Sequence, residues 1–292
     1  MRRMAVFEDF LSALEDLESD TPAARKAFRR LMLRYYDLHG RVFPWRETRD
    51  PYRILVSEIM LQQTQTQRVA AKYPEFIKRF PSIRALARAS QSEVLRAWEG
   101  LGYYRRARNL HRAAIAICEY YKGRVPRQLR ELGSLPGVGD YTAAAVSVFA
   151  FDTPVAMIET NIRSVYLHVF FRGKRSVSDR DIRVLVEETL DRGRCREWFY
   201  ALMDFGVELK KVRPGINARS RHHTKQSTFE GSDRQIAARI LRQALQSTKG
   251  MRLVELRREF NISEKRLVRV VKRLIADGLI EPSPGNKIRA VA

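Results

Sequence analysis

The sequence predicts an all-α body followed by a C-terminal winged helix-turn-helix domain. Three observations carry this. Before residue 280 no stretch sustains period-two alternation of apolar and polar residues, while helical spacing recurs from Thr21 to Lys211. Short Gly, Pro and Ser signals separate the helical runs without a fixed-period repeat, which favours a compact body over a solenoid. Beyond Ser232 the order becomes helix, helix, turn, helix, and then a probable-hairpin pattern, EPSPGNKIRAV.

Composition narrows the function. A chain of 292 residues can bury two or three cores, and 45% hydrophobic with 10% aromatic residues is a globular composition, not a disordered one. Lys and Arg number 55 against 33 Asp and Glu, a net charge of +22. That excess is self-repulsive unless a polyanion neutralises it, and a heat-adapted surface would raise Glu alongside Lys and Arg. The expected partner is nucleic acid. No run of about 18 apolar residues and no apolar signal core occur. A monomer in the cytoplasm, associated with the nucleoid and not with membranes, is therefore expected.

Residues 1–27 read as an acidic amphipathic extension that leads into a helix started by Thr21-Pro22, an N-cap with Pro at the first helical position. Residues 28–211 form the main body. There, a helix from about Ile54 is expected to turn Ile54, Leu55, Ile59 and Leu61 inward, with Glu58 interrupting the apolar run. Gln62-Gln63-Thr64 makes a polar cluster near its end. Ser90 or Ser92 caps a later helix that Gly100 and Gly102 break. Cys118, in AAIAICEYY, reads as a buried thiol. It and Cys195 are too few for the four ligands of an iron–sulfur cluster.

Residues 212–231 form a basic linker in which His222-His223 lack partners at metal spacing. Residues 232–292 hold the winged-helix pattern, with 14 basic and 6 acidic residues. Ser263 would cap a recognition helix exposing Lys265, Arg266, Arg269, Lys272 and Arg273.

The chain is organised around Leu135–Arg163, LPGVGDYTAAAVSVFAFDTPVAMIETNIR. It combines a glycine-flanked turn, an apolar helix and a single carboxylate, Glu159, two residues before Asn161. Backbone able to approach phosphate, a helix and a nearby acid suggest chemistry on nucleic acid.

Three strings in this order, PWRETRDPYRILVSEIMLQQTQ, WEGLGYYRRARNLH and LPGVGDYTAAAV followed by ETNIR, make roughly residues 28–211 resemble the helix-hairpin-helix DNA glycosylases. The branch they are most similar to is the MutY-type adenine glycosylases. The resemblance implies a two-lobed helical body acting on double-stranded DNA. Its chemistry extrudes a base and breaks a C1′–N bond through a cation-like state, which calls for an acid at the leaving base and an anion near the sugar.

The match places Glu58 at the acid position, where Ile, Leu and Met neighbours should raise its pKa. Glu159 stands where the family has Asp, and Asn161 matches the residue that hydrogen-bonds that acid. Tyr141 occupies the position where bifunctional relatives carry a Schiff-base lysine, so a monofunctional enzyme without lyase activity is implied. Gln62, Gln63, Tyr103 and Tyr104 match residues that wedge into the duplex. Leu135, Gly137, Val138 and Gly139 form the hairpin expected to present backbone N–H groups, or a carbonyl-bound monovalent cation, to a phosphate.

Two departures stand out. The family's four-cysteine loop is replaced by the basic linker, where Arg213, Arg219, Arg221 and Lys225 are expected to contact DNA instead, so neither metal nor iron–sulfur cluster is expected. The family's domain that reads 8-oxoguanine is replaced by the winged helix, in which Lys265, Arg266 and Arg269 are expected to bind DNA. Adenine is the first choice of base. A uracil, thymine-mismatch or other damaged-base glycosylase, and a non-catalytic lesion-sensing protein, stay open.

Overall fold

The computed structural model describes residues 2–17, 20–224, 228–247 and 249–291, with residues 2–6 described by their backbone. Its helices begin with α1 (Arg2–Glu15), α2 (Pro22–His39), α3 (Pro51–Leu61), α4 (Thr66–Arg79), α5 (Ile83–Arg88) and α6 (Gln91–Ala97). They continue with α7 (Arg105–Tyr120), α8 (Leu129–Gly133), α9 (Asp140–Phe151), α10 (Thr160–Val169), α11 (Asp179–Thr189) and α12 (Cys195–Val212). A 3₁₀ turn, Ile216–Arg219, and α13 (Asp233–Gln246) follow. The chain then runs through β1 (Met251–Arg252), α14 (Leu253–Phe260), α15 (Glu264–Ala276), β2 (Ile280–Ser283) and β3 (Lys287–Ala290).

Two compact units result. Unit 1 comprises Met1–Pro51, Arg127–Leu129 and Gly139–Lys225, and unit 2 comprises Tyr52–Pro126, Arg130–Val138 and Gln226–Ala292. The boundaries drawn from sequence differ: the span 28–211 is shared by both units, and residues 232–292 cluster with Tyr52–Pro126.

In unit 1, α12 packs against α10 and α2. Phe28 of α2 is fully buried and meets Tyr166, Phe170 and Trp198 edge-on at 5.7, 5.1 and 5.4 Å between centroids. Such edge-on contacts place each ring's positive rim on a negative face, adding to the area buried. Thr21 accepts from Ala24 N and starts α2, with Pro22 at the first helical position. Helix α1 is anchored by Phe7 on Phe205, centroids 4.7 Å apart, and Phe10 on Tyr35 at 5.5 Å.

The segment Arg41–Arg49 gets its shape from one buried carboxylate. Asp204 of α12 is 2% exposed and accepts from Arg46 Nη1 and Nη2 at 2.8 Å and from Arg41 N and Nε at 2.8 and 2.7 Å. These guanidinium partners hold its carboxyl below the usual range despite burial. Arg196 donates to Arg46 O and Thr48 O at 2.7 Å, and to Phe149 O. The Pro-Trp-Arg part of the first string is thus held by buried, paired charges.

In unit 2, α5 and α6 pack on α7. Ser90 and Glu93 form a reciprocal capping box at the start of α6, settling which serine caps it. Gly100 (φ +92°) and Gly102 (φ +68°) then turn the chain through left-handed conformations. At the C-terminal end, α13 packs on α6, α15 and β3, and the sheet runs β1-β3-β2, antiparallel throughout. Ser283 pairs with Lys287 across a turn with Gly285 and Asn286 left-handed.

Sequence pattern missed β1, because two residues leave no readable alternation. Leu61 and Cys118 are half-buried rather than fully inward. Both lie at the margin of their helix's apolar face.

Candidate active site

Glu159 begins α10 and acts as its N-cap. Its Oε1 accepts from Asn161 N at 2.7 Å and Ile162 N at 2.8 Å, and Oε2 accepts from Asn161 Nδ2 at 3.1 Å. Ser, Thr, Asp and Asn are the usual residues here, since their short side chains reach the second and third amides of the helix. Glu spans the same gap with its extra methylene and keeps both oxygens engaged. Burial pushes the carboxyl above its ordinary range, against the opposing pull of the two amide donors and of Lys210 and Arg163.

The turn is set by close approach of α12. A Cβ on Gly206 would lie 2.4 Å from Asn161 O and 2.8 Å from Asn161 Cβ, so only glycine lets α12 pass. Asn161 Oδ1 is buried with no hydrogen-bond partner among the described residues. A buried acceptor without a partner beside a tethered carboxylate is a group that a water or substrate donor could satisfy. Tyr141, half-buried in the first turn of α9, belongs to the same unit as Glu159 and Asn161.

Glu58 belongs to the other unit. It is 5% exposed, on a helix whose residues from Ile54 to Met60 are all buried. A carboxyl so little exposed has shed most of its water. The structure therefore puts Glu159, Asn161 and Tyr141 in unit 1, and Glu58 with the wedge candidates in unit 2.

Those candidates occupy two turns tied by one residue that sequence reading passed over. Arg106 of α7 sends Nη1 to Ile59 O (3.0 Å), Met60 O (2.8 Å) and Gln62 O, closing the end of α3. Its Nη2 reaches Thr64 Oγ1 (2.9 Å), Leu101 O (3.1 Å) and Gly102 O (3.1 Å), the turn before Tyr103. Burial lowers its pKa to about 10, still charged at neutral pH. In sequence it was one arginine among RRAR, and only an unusually buried guanidinium marks it out.

On these turns, Gln63 (φ +53°) and Tyr103 (φ +49°) are non-glycine residues in left-handed conformation, and Tyr103 is 36% exposed. Gln62 is half-buried and Gln63 exposed. Tyr104 is corrected: at 7% exposure it is part of the core at the start of α7, and cannot enter a duplex.

The hairpin is anchored by Leu135 and Val138, both buried. Val138 N donates to Leu135 O at 3.1 Å, so that amide closes the turn and is removed from the expected phosphate donors. Gly137 (φ +78°) lies so near Asn109 that a Cβ would sit 2.7 Å from Asn109 Cβ, and Gly139 is the N-cap of α9. A helix start without a Cβ is suited to an approaching anion.

Comparison with known proteins decides the family. The profile of the HhH-GPD superfamily base excision DNA repair proteins matches residues 56–190. The adenine DNA glycosylase of Mycolicibacterium smegmatis is 33% identical over 273 residues, covering 88% of this chain and 93% of that protein. The chain belongs to the HhH-GPD superfamily of base excision DNA repair proteins. A thymine/uracil-DNA glycosylase of Methanothermobacter thermautotrophicus is 33% identical over 195 residues, 65% of this chain and 88% of that one. A solved thermostable thymine-DNA glycosylase is 30% identical, with a TM-score of 0.57, over 67% of this chain and 94% of that one. An endonuclease III–DNA complex, at 18% identity and a TM-score of 0.53, shares the fold. This chain is accordingly a DNA glycosylase.

Several basic residues expected on this glycosylase's DNA-facing side are already engaged. Arg219 caps the carbonyls of Phe171 and Lys174 (3.0 Å), which gives it a structural task instead. Arg213 pairs with Glu15 at 3.1 Å, whereas the Arg221 side chain is exposed. Lys225 lies outside the described residues. Arg266 and Arg269 both pair with Asp233, at 2.8 and 2.9 Å, and Lys265 is exposed.

The cysteines do not fit an iron–sulfur cluster: the chain has two, half-buried Cys118 in unit 2 and buried Cys195 in unit 1. No helix among the described residues is long and apolar enough to cross a membrane.

Proposed function

We propose that this protein is a monofunctional adenine DNA glycosylase acting, as a monomer, on duplex DNA that holds a mismatched or damaged pair. The observation that carries the catalytic reading is the Glu159 carboxylate, tethered by Asn161 through backbone and side chain. These contacts support a working acid at a position where the family has Asp.

Glu58 donates its proton to the ring nitrogen of the extruded base. The C1′–N bond breaks and its electron pair leaves with the base. Glu159, ionised, stabilises the positive charge that develops at C1′. Water adds to the sugar at C1′ and its extra proton passes to solvent, giving an abasic site. Tyr141 has no amine with which to form an imine, so the strand stays intact.

Gln62, Gln63 and Tyr103 fill the space left by the extruded base, while Gly137 and Gly139 hold a phosphate through backbone amides, with a carbonyl-bound monovalent cation as the other way to engage it. Arg221, Lys265 and the charge on Arg266 and Arg269 add phosphate contacts that position the duplex without reading it. The arrangement needs no iron–sulfur cluster or other cofactor.

A second reading, removal of thymine or uracil, is favoured by the thymine/uracil-DNA glycosylase relative and by the solved thymine-DNA glycosylase. Oligonucleotide duplexes carrying A:G, A:8-oxoguanine, T:G or U:G, treated with alkali after incubation, separate the two. Release from A-containing duplexes only is expected. Release from T:G or U:G only reverses the choice of base, and a borohydride-trapped adduct overturns the monofunctional assignment.

A further inference from the structure

The C-terminal module, Asp233–Val291, is fastened to α6 and α7 on both sides of the Gly100–Tyr104 turn. Arg242 pairs with Glu99 at 2.8 Å, just before the turn, and Arg96 donates to Leu245 O at 3.2 and 3.3 Å. Just after it, Arg105 pairs with Asp277 at 3.4 Å and Arg108 donates to Asp277 O. Gln91 donates to Gly278 O at 2.7 Å. The turn between these anchors carries Tyr103.

One residue of the module reaches Tyr103 itself. Arg234, in the first turn of α13, donates through Nη1 to the Tyr103 hydroxyl at 2.5 Å, with its guanidinium 5.7 Å from the ring centroid. Arg106, which holds the turn's carbonyls, lies 5.5 Å from the same ring. The neighbouring Asp233 is the acceptor for Arg266 and Arg269 of α15. Adjacent residues at the start of α13 therefore hold the basic helix on one hand and the tyrosine on the other.

We propose that Arg234 is a positioning residue for Tyr103, which makes the C-terminal module a working part of base extrusion rather than an appended DNA grip. This rests on Tyr103 acting as the wedge. A half-exposed tyrosine samples several rotamers, and entry into a duplex requires one of them. A charged donor on its hydroxyl and cationic groups around its ring select that orientation before DNA arrives. The sequence gives no hint of this, since the residues are 131 positions apart.

The test uses the full chain and a duplex with 2-aminopurine beside the target base, whose fluorescence rises when its neighbour unstacks. Arg234→Gln and Tyr103→Phe are compared singly and together, and Tyr103→Ala is the control for the wedge. Arg234→Gln and Tyr103→Phe should each reduce the fluorescence rise and slow single-turnover base release by about tenfold, the order of one charge-assisted hydrogen bond. The double variant should be no worse than either single one.

For Arg234→Gln, single-turnover release from a single-stranded oligonucleotide, which needs no extrusion, should not change. The dependence of duplex binding on salt should also keep its slope, because Arg234 is occupied by the tyrosine and not by a phosphate. If Tyr103→Ala extrudes normally, the wedge reading itself fails. If Tyr103→Ala is impaired while Arg234→Gln and Tyr103→Phe behave as wild type, the positioning role is overturned and the wedge stands. A shallower salt slope with normal extrusion would make Arg234 a phosphate contact and also overturn it.

Discussion

Glu58 and Glu159 are the same residue type set into opposite kinds of structure. Glu58 projects from a helix buried from Ile54 to Met60 and is itself 5% exposed. Glu159 sits at a helix start and is surrounded by donors, two amides and a carboxamide. Burial by itself favours the neutral acid, a proton donor. Donors aimed at the oxygens favour the anion and fix its place even when burial raises the pKa. On the mechanism proposed above, one chain obtains an acid and a stabilising anion from identical side chains by changing what surrounds them.

The largest effect should come from removing the proton. Glu58→Gln is expected to lower single-turnover base release by about 10²–10⁴-fold, the range for general acid catalysis. Release at the wild-type rate would place the proton donor elsewhere. Glu159→Gln keeps an acceptor for the amides but loses the charge, and should cost about 10²-fold or more, as loss of one electrostatic stabiliser does. Unchanged release in that variant would leave Glu159 a helix cap and nothing else.

Gly206→Ala asks whether the surround or the carboxylate itself matters. Its methyl group must displace Asn161 backbone, so a loss of about 1–3 kcal/mol in denaturant unfolding is expected, with slower base release. Full stability with full activity would show that the turn can yield.

The smallest effect is in pH. The folded pKa of Glu159 is raised above its ordinary 4.5. Its contribution to stability is therefore complete below pH 4.5 and is lost as pH rises through the folded value. Unfolding of wild type and Glu159→Gln across that interval should show the variant gaining relative stability with rising pH. Catalysis has the opposite sign: the anion is the active form, so base release should fall on acidification through the raised pKa, and this limb should vanish in Glu159→Gln. A variant that retains the limb would assign it to another group.

Much of the fold was legible because local chemistry dictates it. Thr21 and Ser263 read as caps and are caps, and Ser90 proves to be the cap where Ser90 or Ser92 was expected, since a hydroxyl that satisfies an amide needs no tertiary partner. The positions of Glu58, Glu159 and Asn161 were legible from the family strings and their spacing, and the Asn161–Glu159 hydrogen bond is the one that the resemblance implied. What the spacing could not supply was the direction of long side chains. Tyr103 and Tyr104 are adjacent and identical, yet the left-handed turn at Tyr103 sends the second ring into the core. Arg106 and Arg219 look like surface charges in sequence and spend their donors on backbone carbonyls that only the tertiary structure assembles. Asp233 likewise claims Arg266 and Arg269 from the face expected to meet DNA.

Unit 2 opens at Tyr52 and is completed by residues 226–292, with residues 139–225 of unit 1 lying between these stretches in the sequence. Translation adds about 5–20 residues per second. The helix that carries Glu58 and the turn that carries Tyr103 are therefore made many seconds before the partners of Gln91, Arg96 and Arg108 exist. Until the last segment emerges, the faces of α6 and α7 that will receive it stay open to water and to passing chains. The nascent protein thus has a vulnerable interval that ends only when α13 and α15 arrive, and a stop codon early in that segment would lengthen it indefinitely.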